Sequence, residues 1–322
     1  MITIAGAGLA GLACAYELAQ RGAKVTVYER GETPGDSSVA RFAGGMLAPW
    51  CERESAEEEV ITLGSRAFTW WAGITPVHRR GTLVVAPARD RAELTRFAHR
   101  TSGHRMAGAQ EVAELEPVLA GRFGQGLFFE DEAHLDPRRA LRDLSARVQA
   151  MGVEIRYGAP APAGVTLDCT GMAAPLPGLR PVRGEMAVLH CPEVEISRTL
   201  RLLHPRMPLY LVPRGDGHFM IGGTMIESSS ERPVTLRSLS ELLNAAFTLH
   251  PAFAEASVAE TGAGLRPAFA DNLPRLTEQD GTLYLNGLYR HGFLLAPAMA
   301  QQAAGRLLPE TTDEDHRERQ TA

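Results

Sequence analysis

Apolar positions along the chain follow two spacings, and the change from one to the other marks out its elements. Ile2–Ala5 is a short apolar run suited to a buried strand. From Leu9 to Arg21 the residues Leu9, Leu12, Tyr16 and Ala19 keep a helical spacing, and Gly22 ends that helix. Val25 and Val27, within Lys24–Glu29, mark a second strand. Strand, helix and strand in this order predict a βαβ unit with a right-handed crossover. Further helices are predicted over Glu57–Trp71, Arg91–Arg100, Arg138–Met151, Leu236–Leu249 and Phe293–Leu308. Pro137 suits the first turn of the third of these. Val77–Ala86, with Gly81 inside it, Val153–Tyr157, Val165–Cys169 and Val258–Leu265 read as strands. Between Pro181 and Thr224 the runs Glu185–His190, Tyr210–Val212 and His218–Gly222 follow without a long helix, the pattern of an antiparallel sheet.

This order, βαβ first, then an antiparallel sheet, then α/β again, predicts an α/β fold. A discontinuous Rossmann-like nucleotide domain (1–75, 132–178 and 262–308) would carry an inserted antiparallel-sheet domain (76–131 and 179–261). The polar tail, 309–322, is expected to be disordered. A length of 322 residues agrees with two domains, since single cores stop growing near ~250–300 residues.

Composition narrows the function classes. Hydrophobic residues at 44% and charged residues at 22% are ordinary for a globular protein, and a net charge of −5 gives no reason to expect nucleic acid or an anionic membrane as partner. The four cysteines, Cys14, Cys51, Cys169 and Cys191, form no CxxC pair, so neither a zinc ribbon nor a disulfide framework is expected. The ten histidines form no HxxxH or HExxH pattern, and no metal is expected. No signal-like stretch precedes Ile2, and no segment approaches ~18 uninterrupted apolar residues. The expectation is a cytoplasmic protein.

The first chemical motif is Gly6-Ala7-Gly8-Leu9-Ala10-Gly11, between the first strand and the first helix. Gly6 permits the tight turn, Gly8 lets backbone approach a pyrophosphate, and Gly11 allows helix to pack on strand. The free N–H groups and dipole of the helix start hold phosphate. Glu29 ends the second strand eighteen residues beyond Gly11, where a carboxylate can accept from an adenosine ribose, and Arg30 follows it. The motif alone admits FAD or NAD.

Three later segments resemble the glycine oxidase and D-amino acid oxidase family of flavoproteins. Ala43-Gly44-Gly45-Met46-Leu47-Ala48-Pro49 is similar to that family's loop beside the isoalloxazine ring. Gly264-Leu265-Arg266-Pro267 resembles the segment supplying the substrate-binding arginine. Leu288-Tyr289-Arg290-His291-Gly292-Phe293-Leu294-Leu295-Ala296-Pro297 resembles the last flavin-contacting turn and helix. Gly171, in Asp168-Cys169-Thr170-Gly171, matches the class's second glycine signal near the adenosine or pyrophosphate. The resemblance implies FAD as cofactor, held without a covalent bond. No cysteine follows Arg266 within 267–272, and no histidine stands in 37–45. The stretch 158–164 is shorter than the hairpin many relatives carry, which leaves the adenine-side contacts open.

The same resemblance assigns substrate roles. Arg266 would clamp a carboxylate with its planar fork, and Arg290 stands at the family's second arginine position near the flavin. Tyr210 matches a tyrosine that helps hold the carboxylate, although a strand tyrosine packing its ring in the sheet fits equally. Met225 and Met46 match residues lining the small pocket and the flavin, where methionine also serves as core filler. Glu52 matches an acidic position at the pocket mouth, but its neighbours Glu54, Glu57, Glu58 and Glu59 favour a solvated helix start. The implied reaction is oxidation of glycine to its imine, with oxygen reoxidising the flavin to give hydrogen peroxide and the imine supplying thiamine thiazole synthesis. D-amino acids, sarcosine or another small amine are the rival substrates. An NAD-dependent reductase and a flavin-binding module without turnover are the rival classes, and a homo-oligomer remains open.

Overall fold

A computed structural model describes residues 1–204 and 208–309, so the polar tail from 310 lies outside the described residues. Two large sheets organise the chain. The first has six strands in the order Arg275–Gln279, Thr282–Asn286, Leu167–Asp168, Ile2–Ala5, Val25–Tyr28 and Glu154–Arg156. Its inner pairings are parallel, and only the hairpin Arg275–Gln279 with Thr282–Asn286 is antiparallel. Helices Leu9–Gln20, Pro137–Ala150 and Gly292–Leu307 bury Leu12, Leu18, Leu141, Leu144, Leu295 and Met299 in one core with Ile4, Val27 and Leu167 of this sheet.

The second sheet draws its nine strands from two chain segments. Thr82–Val85, Arg105–Gly108 and Gln125–Phe129 come from the first, and Arg180–His190 through Ser257–Ala268 from the second. They join where Thr82–Val85 pairs in parallel with Thr199–Leu202. Helix Leu236–Leu249 packs Leu242, Ala246 and Leu249 against Leu189, Leu211 and Ile221 of the sheet. Strand Ser257–Ala268 pairs with Arg180–His190 from end to end, and the expected boundary at 262 falls inside it.

Several elements depart from the sequence reading. The helix expected over Glu57–Trp71 is two helices, Glu58–Gly64 and Ala67–Ala72. Gly64 is pressed on the closing helix, where a Cβ would lie 2.6 Å from Leu294 Cγ. The turn after it lets Trp71 reach the same helix and donate to Phe293 O at 2.8 Å. The strand expected over Val77–Ala86 forms only at Thr82–Val85, because Gly81 takes φ +74° and sits against Phe129 O. Strands Arg105–Gly108 and Gln125–Phe129 carry no clean alternation and were not anticipated. No helix among the described residues is long and apolar enough to cross a membrane.

Candidate active site

The two sheets enclose a cleft of about 910 Å³ that runs from the first glycine turn to Arg266 and Arg290. At the first end, Gly6 leaves the strand at φ +92° and donates to Tyr28 O at 2.8 Å. A Cβ on Gly11 would lie 1.8 Å from Gly6 O, so helix and turn touch backbone to backbone. Gly8 faces the cleft, as do Leu9 and Ala10, and a Cβ there would meet only Ser38 Oγ at 3.4 Å. No side chain caps this helix start, which leaves its N-terminal amides for a ligand.

Glu29 is buried beside this turn, yet the chain itself supplies most of its donors. Ala7 N donates to one carboxylate oxygen at 2.7 Å, and Gly31 N and Ser37 Oγ donate to the other, each at 2.7 Å. A carboxylate offers about four acceptor positions, so one remains toward the cleft. The expected ribose contact therefore shares the carboxylate with a structural role that sequence did not reveal. Arg30 lines the same end. Gly171, at φ +62°, is fixed by Asn286 Nδ2 donating to its carbonyl at 2.9 Å, and Asp168 accepts from Thr170 N and Oγ1.

In the middle of the cleft lie Ala43, Gly44, Gly45 and Met46. Gly45 takes φ +70°, and a Cβ on it would stand 2.2 Å from Leu135 O, so close approach within the chain already requires glycine there. Sequence reasoning missed Arg214. It lies partly buried beneath this loop and donates to Ala43 O at 3.1 Å, Gly44 O at 2.9 Å and Leu135 O at 3.3 Å. Burial pulls its pKa down to about 10, against the pull of Asp136. Opposite the loop, helix Gly292–Leu307 starts at the cleft wall with His291 as N-cap and with Gly292, Phe293 and Leu294 lining the space. A helix start directs partial positive charge at whatever occupies the cleft.

At the far end the structure brings together Arg266, Arg290, Tyr210, Met225 and Glu52. Arg266 has backbone on both sides, since a Cβ on Gly184 would collide with its guanidinium, and it donates to Thr224 O at 2.9 Å. No carboxylate of the described residues pairs with it. Burial, with Arg290 nearby, pulls its pKa down to about 10. Arg290 instead donates to Glu52 and, at 3.1 Å, to the Tyr210 hydroxyl, while Tyr210 donates to the second Glu52 oxygen at 3.0 Å. Burial alone would raise the Glu52 pKa, but Arg290 beside it brings the pKa down to about 2.

Glu52 is therefore no solvated helix start. The separate short helix Pro49–Glu52 turns it inward, apart from the exposed Glu57–Glu59 run. Tyr210 combines its two readings, a ring in the sheet and a hydroxyl at the site. Met225 is half exposed at the rim, its sulfur 3.1 Å from Arg290. Burial holds the His291 pKa at about 4, so its imidazole is neutral at pH 7.

Arg201 and Glu132, behind this cluster, were not anticipated. Arg201 stacks over the Tyr210 ring at 4.8 Å and donates to Cys51 O at 3.2 Å and Glu54 at 3.1 Å. Its signal was present, a lone charge in Thr199–Leu202, a strand buried at every position. Glu132 accepts from Cys51 N at 2.7 Å, and burial pushes its pKa up to about 8.

A long cleft with a glycine cradle and a helix start at one end fits FAD. A partly buried guanidinium at the other, unpaired among the described residues, fits a small carboxylate. The family described as FAD dependent oxidoreductase (DAO) matches residues 1–306. A Rhizobium etli protein with the provisional name thiamine biosynthesis oxidoreductase ThiO is 55% identical, over 98% of this chain and 99% of that one. A glycine oxidase of Pseudomonas putida is 28% identical, over 93% of this chain and 92% of its own. The crystal structure of glycine oxidase from Geobacillus kaustophilus superposes with a TM-score of 0.78 at 21% identity, covering 94% of this chain and 93% of that one.

Proposed function

The chain belongs to the FAD dependent oxidoreductase family, and from that premise we propose that it oxidises glycine to its imine. In this reading oxygen accepts the electrons, hydrogen peroxide forms, and the imine supplies thiamine thiazole synthesis in the cytoplasm. The glycine oxidase and thiamine-biosynthesis relatives support the substrate and its use. The observation that carries the reading is Arg266, a partly buried guanidinium lining the cleft, with one hydrogen bond to the chain and, among the described residues, no carboxylate partner.

FAD would be held by the Gly6–Gly11 turn, Glu29, the Ala43–Met46 loop and the start of helix Gly292–Leu307, and when bound it supplies a two-electron acceptor. The chain's own residues then bind and orient. Arg266 takes both carboxylate oxygens in its planar fork and so fixes the α-carbon in one place. Gly184 and Gly223 leave the guanidinium room to turn its fork toward the cleft. Tyr210, Glu52 and Arg290 form a rigid wall beside it. His291 is neutral and adds no charge that would repel an amine. Among the described residues Glu52 is held by Arg290 and Tyr210 and His291 is neutral, so in this reading the amine arrives unprotonated and the enzyme acts through orientation and fixed electrostatics. An anaerobic screen of glycine, sarcosine and several D-amino acids tests the assignment. Glycine should bleach the flavin fastest, and a faster D-amino acid would reassign the substrate.

A further inference from the structure

The substrate end of the cleft holds two guanidiniums in opposite circumstances. Arg266 keeps one hydrogen bond to the chain, to Thr224 O. Arg290 is closed onto Glu52, with side chains only 14% and 10% exposed. Glu52 is gripped at both oxygens, by Arg290 at one and by the Tyr210 hydroxyl at the other. Arg201, stacked on Tyr210, is answered by Glu54. Glu54 also pairs with Arg100, and Arg183 with Glu185, so among the described residues Arg266 is the guanidinium at this end of the cleft that has no carboxylate.

A guanidinium already closed onto a carboxylate is not free for a second one, because each further charge taken out of water needs its own partner. We propose that Glu52 is the specificity-determining residue of the cleft: by occupying Arg290 it restricts the site to amines carrying a single carboxylate. Iminodicarboxylates and acidic amino acids are turned away because their second carboxylate finds Arg290 already paired and meets the Glu52 charge. Glu52 touches no substrate in this scheme. It acts through Arg290 as a positioning residue, and the inference rests on Arg266 being the carboxylate receptor.

The test follows the flavin spectrum of the holoenzyme during titration with acetate and with malonate, which differ by one carboxylate. The parent should bind acetate more tightly than malonate. In Glu52→Gln, which keeps a side chain of the same shape, malonate should gain about tenfold or more relative to acetate, the scale of one charged hydrogen bond. Iminodiacetate should gain on glycine in kcat/KM in the same variant. Adding Arg290→Gln should return the ratio to that of the parent. An unchanged ratio in Glu52→Gln overturns the inference, and so does a raised ratio that survives loss of Arg290. Should Glu52→Gln fail to fold, the parent still decides. Equal affinity for the two acids, or malonate bridging Arg266 and Arg290 in soaked crystals, overturns it. A parent whose flavin ignores glycine, acetate and malonate alike overturns the proposed reaction, and this inference with it. An unmoved ratio in Glu52→Gln, where glycine does bleach the parent's flavin, overturns the inference alone.

Discussion

Alanine at Gly8 and alanine at Gly11 should break the protein in different ways, although only Leu9 and Ala10 separate them. A Cβ on Gly11 would stand 1.8 Å from Gly6 O and 3.0 Å from Gly6 C, where non-bonded contact begins at about 3.5 Å. The obstacle is backbone in a turn fixed at φ +92°, so no side chain can swing aside. The helix must move off its strand by more than ~1 Å, and overpacking of this kind costs about 1–3 kcal/mol. For a chain of this size that lowers the apoprotein Tm by the order of 5 °C. Gly8→Ala meets only Ser38 Oγ at 3.4 Å and Ser38 Cβ at 3.8 Å, both ordinary contacts on a movable side chain. Its apoprotein should melt within ~1 °C of the parent, the usual range for a substitution without a clash. The added methyl group, however, stands where phosphate must approach the helix amides, so FAD affinity should fall about tenfold or more. Thermal melts of the apoproteins and FAD content after dialysis separate the two. A Gly11→Ala apoprotein as stable as the parent, or a Gly8→Ala protein that keeps its FAD, would refute the division of roles.

Other positions give further expectations. Glu29→Ala should weaken FAD retention and also destabilise the apoprotein by about 1–3 kcal/mol, because the Ala7 and Gly31 amides lose their acceptor; an unchanged melt would show that the structural share is negligible. Arg214→Met should loosen the Ala43–Gly44 loop and lower flavin occupancy, since three carbonyls lose their donor; occupancy equal to the parent's would remove its positioning role. Glu132 has a folded pKa raised by burial to about 8, so its contribution to stability is full below the unfolded value near ~4.3 and is lost as pH rises toward 8. Glu132→Gln should therefore flatten the fall in Tm between about pH 5 and 8, and a fall of the same size in the variant would contradict the assignment.

What the sequence disclosed depended on whether a residue's partner was near it in the chain. The βαβ start, helix Pro137–Ala150 and the closing helix follow local periodicity and caps, and they lie within a residue or two of their expected ends. The hairpin at Asp280-Gly281 was equally legible in principle, since two positive φ values call for that dipeptide, but it was passed over. The Glu57–Trp71 helix was misread because its break answers to Leu294, more than two hundred residues away. Arg214 and Arg201 were missed for the same reason, because their hydrogen-bond partners lie in the segment around Ala43–Glu54 and only folding brings them together. Glu52 was misjudged from its acidic neighbours, whose charge says nothing about which way the short helix Pro49–Glu52 turns.

The central claim is that Arg266 holds the carboxylate of glycine against bound flavin, and rapid anaerobic mixing with glycine tests it most directly. The parent's flavin should bleach on mixing. Arg266→Ala should keep FAD and its visible spectrum, yet its bleaching should slow by about a hundredfold or more at subsaturating glycine, the scale expected when a buried carboxylate loses its partner. Arg266→Lys, which keeps the charge without the fork, should fall between the two. A parent flavin that glycine does not reduce, or an alanine variant reduced at the parent's rate, would contradict the account.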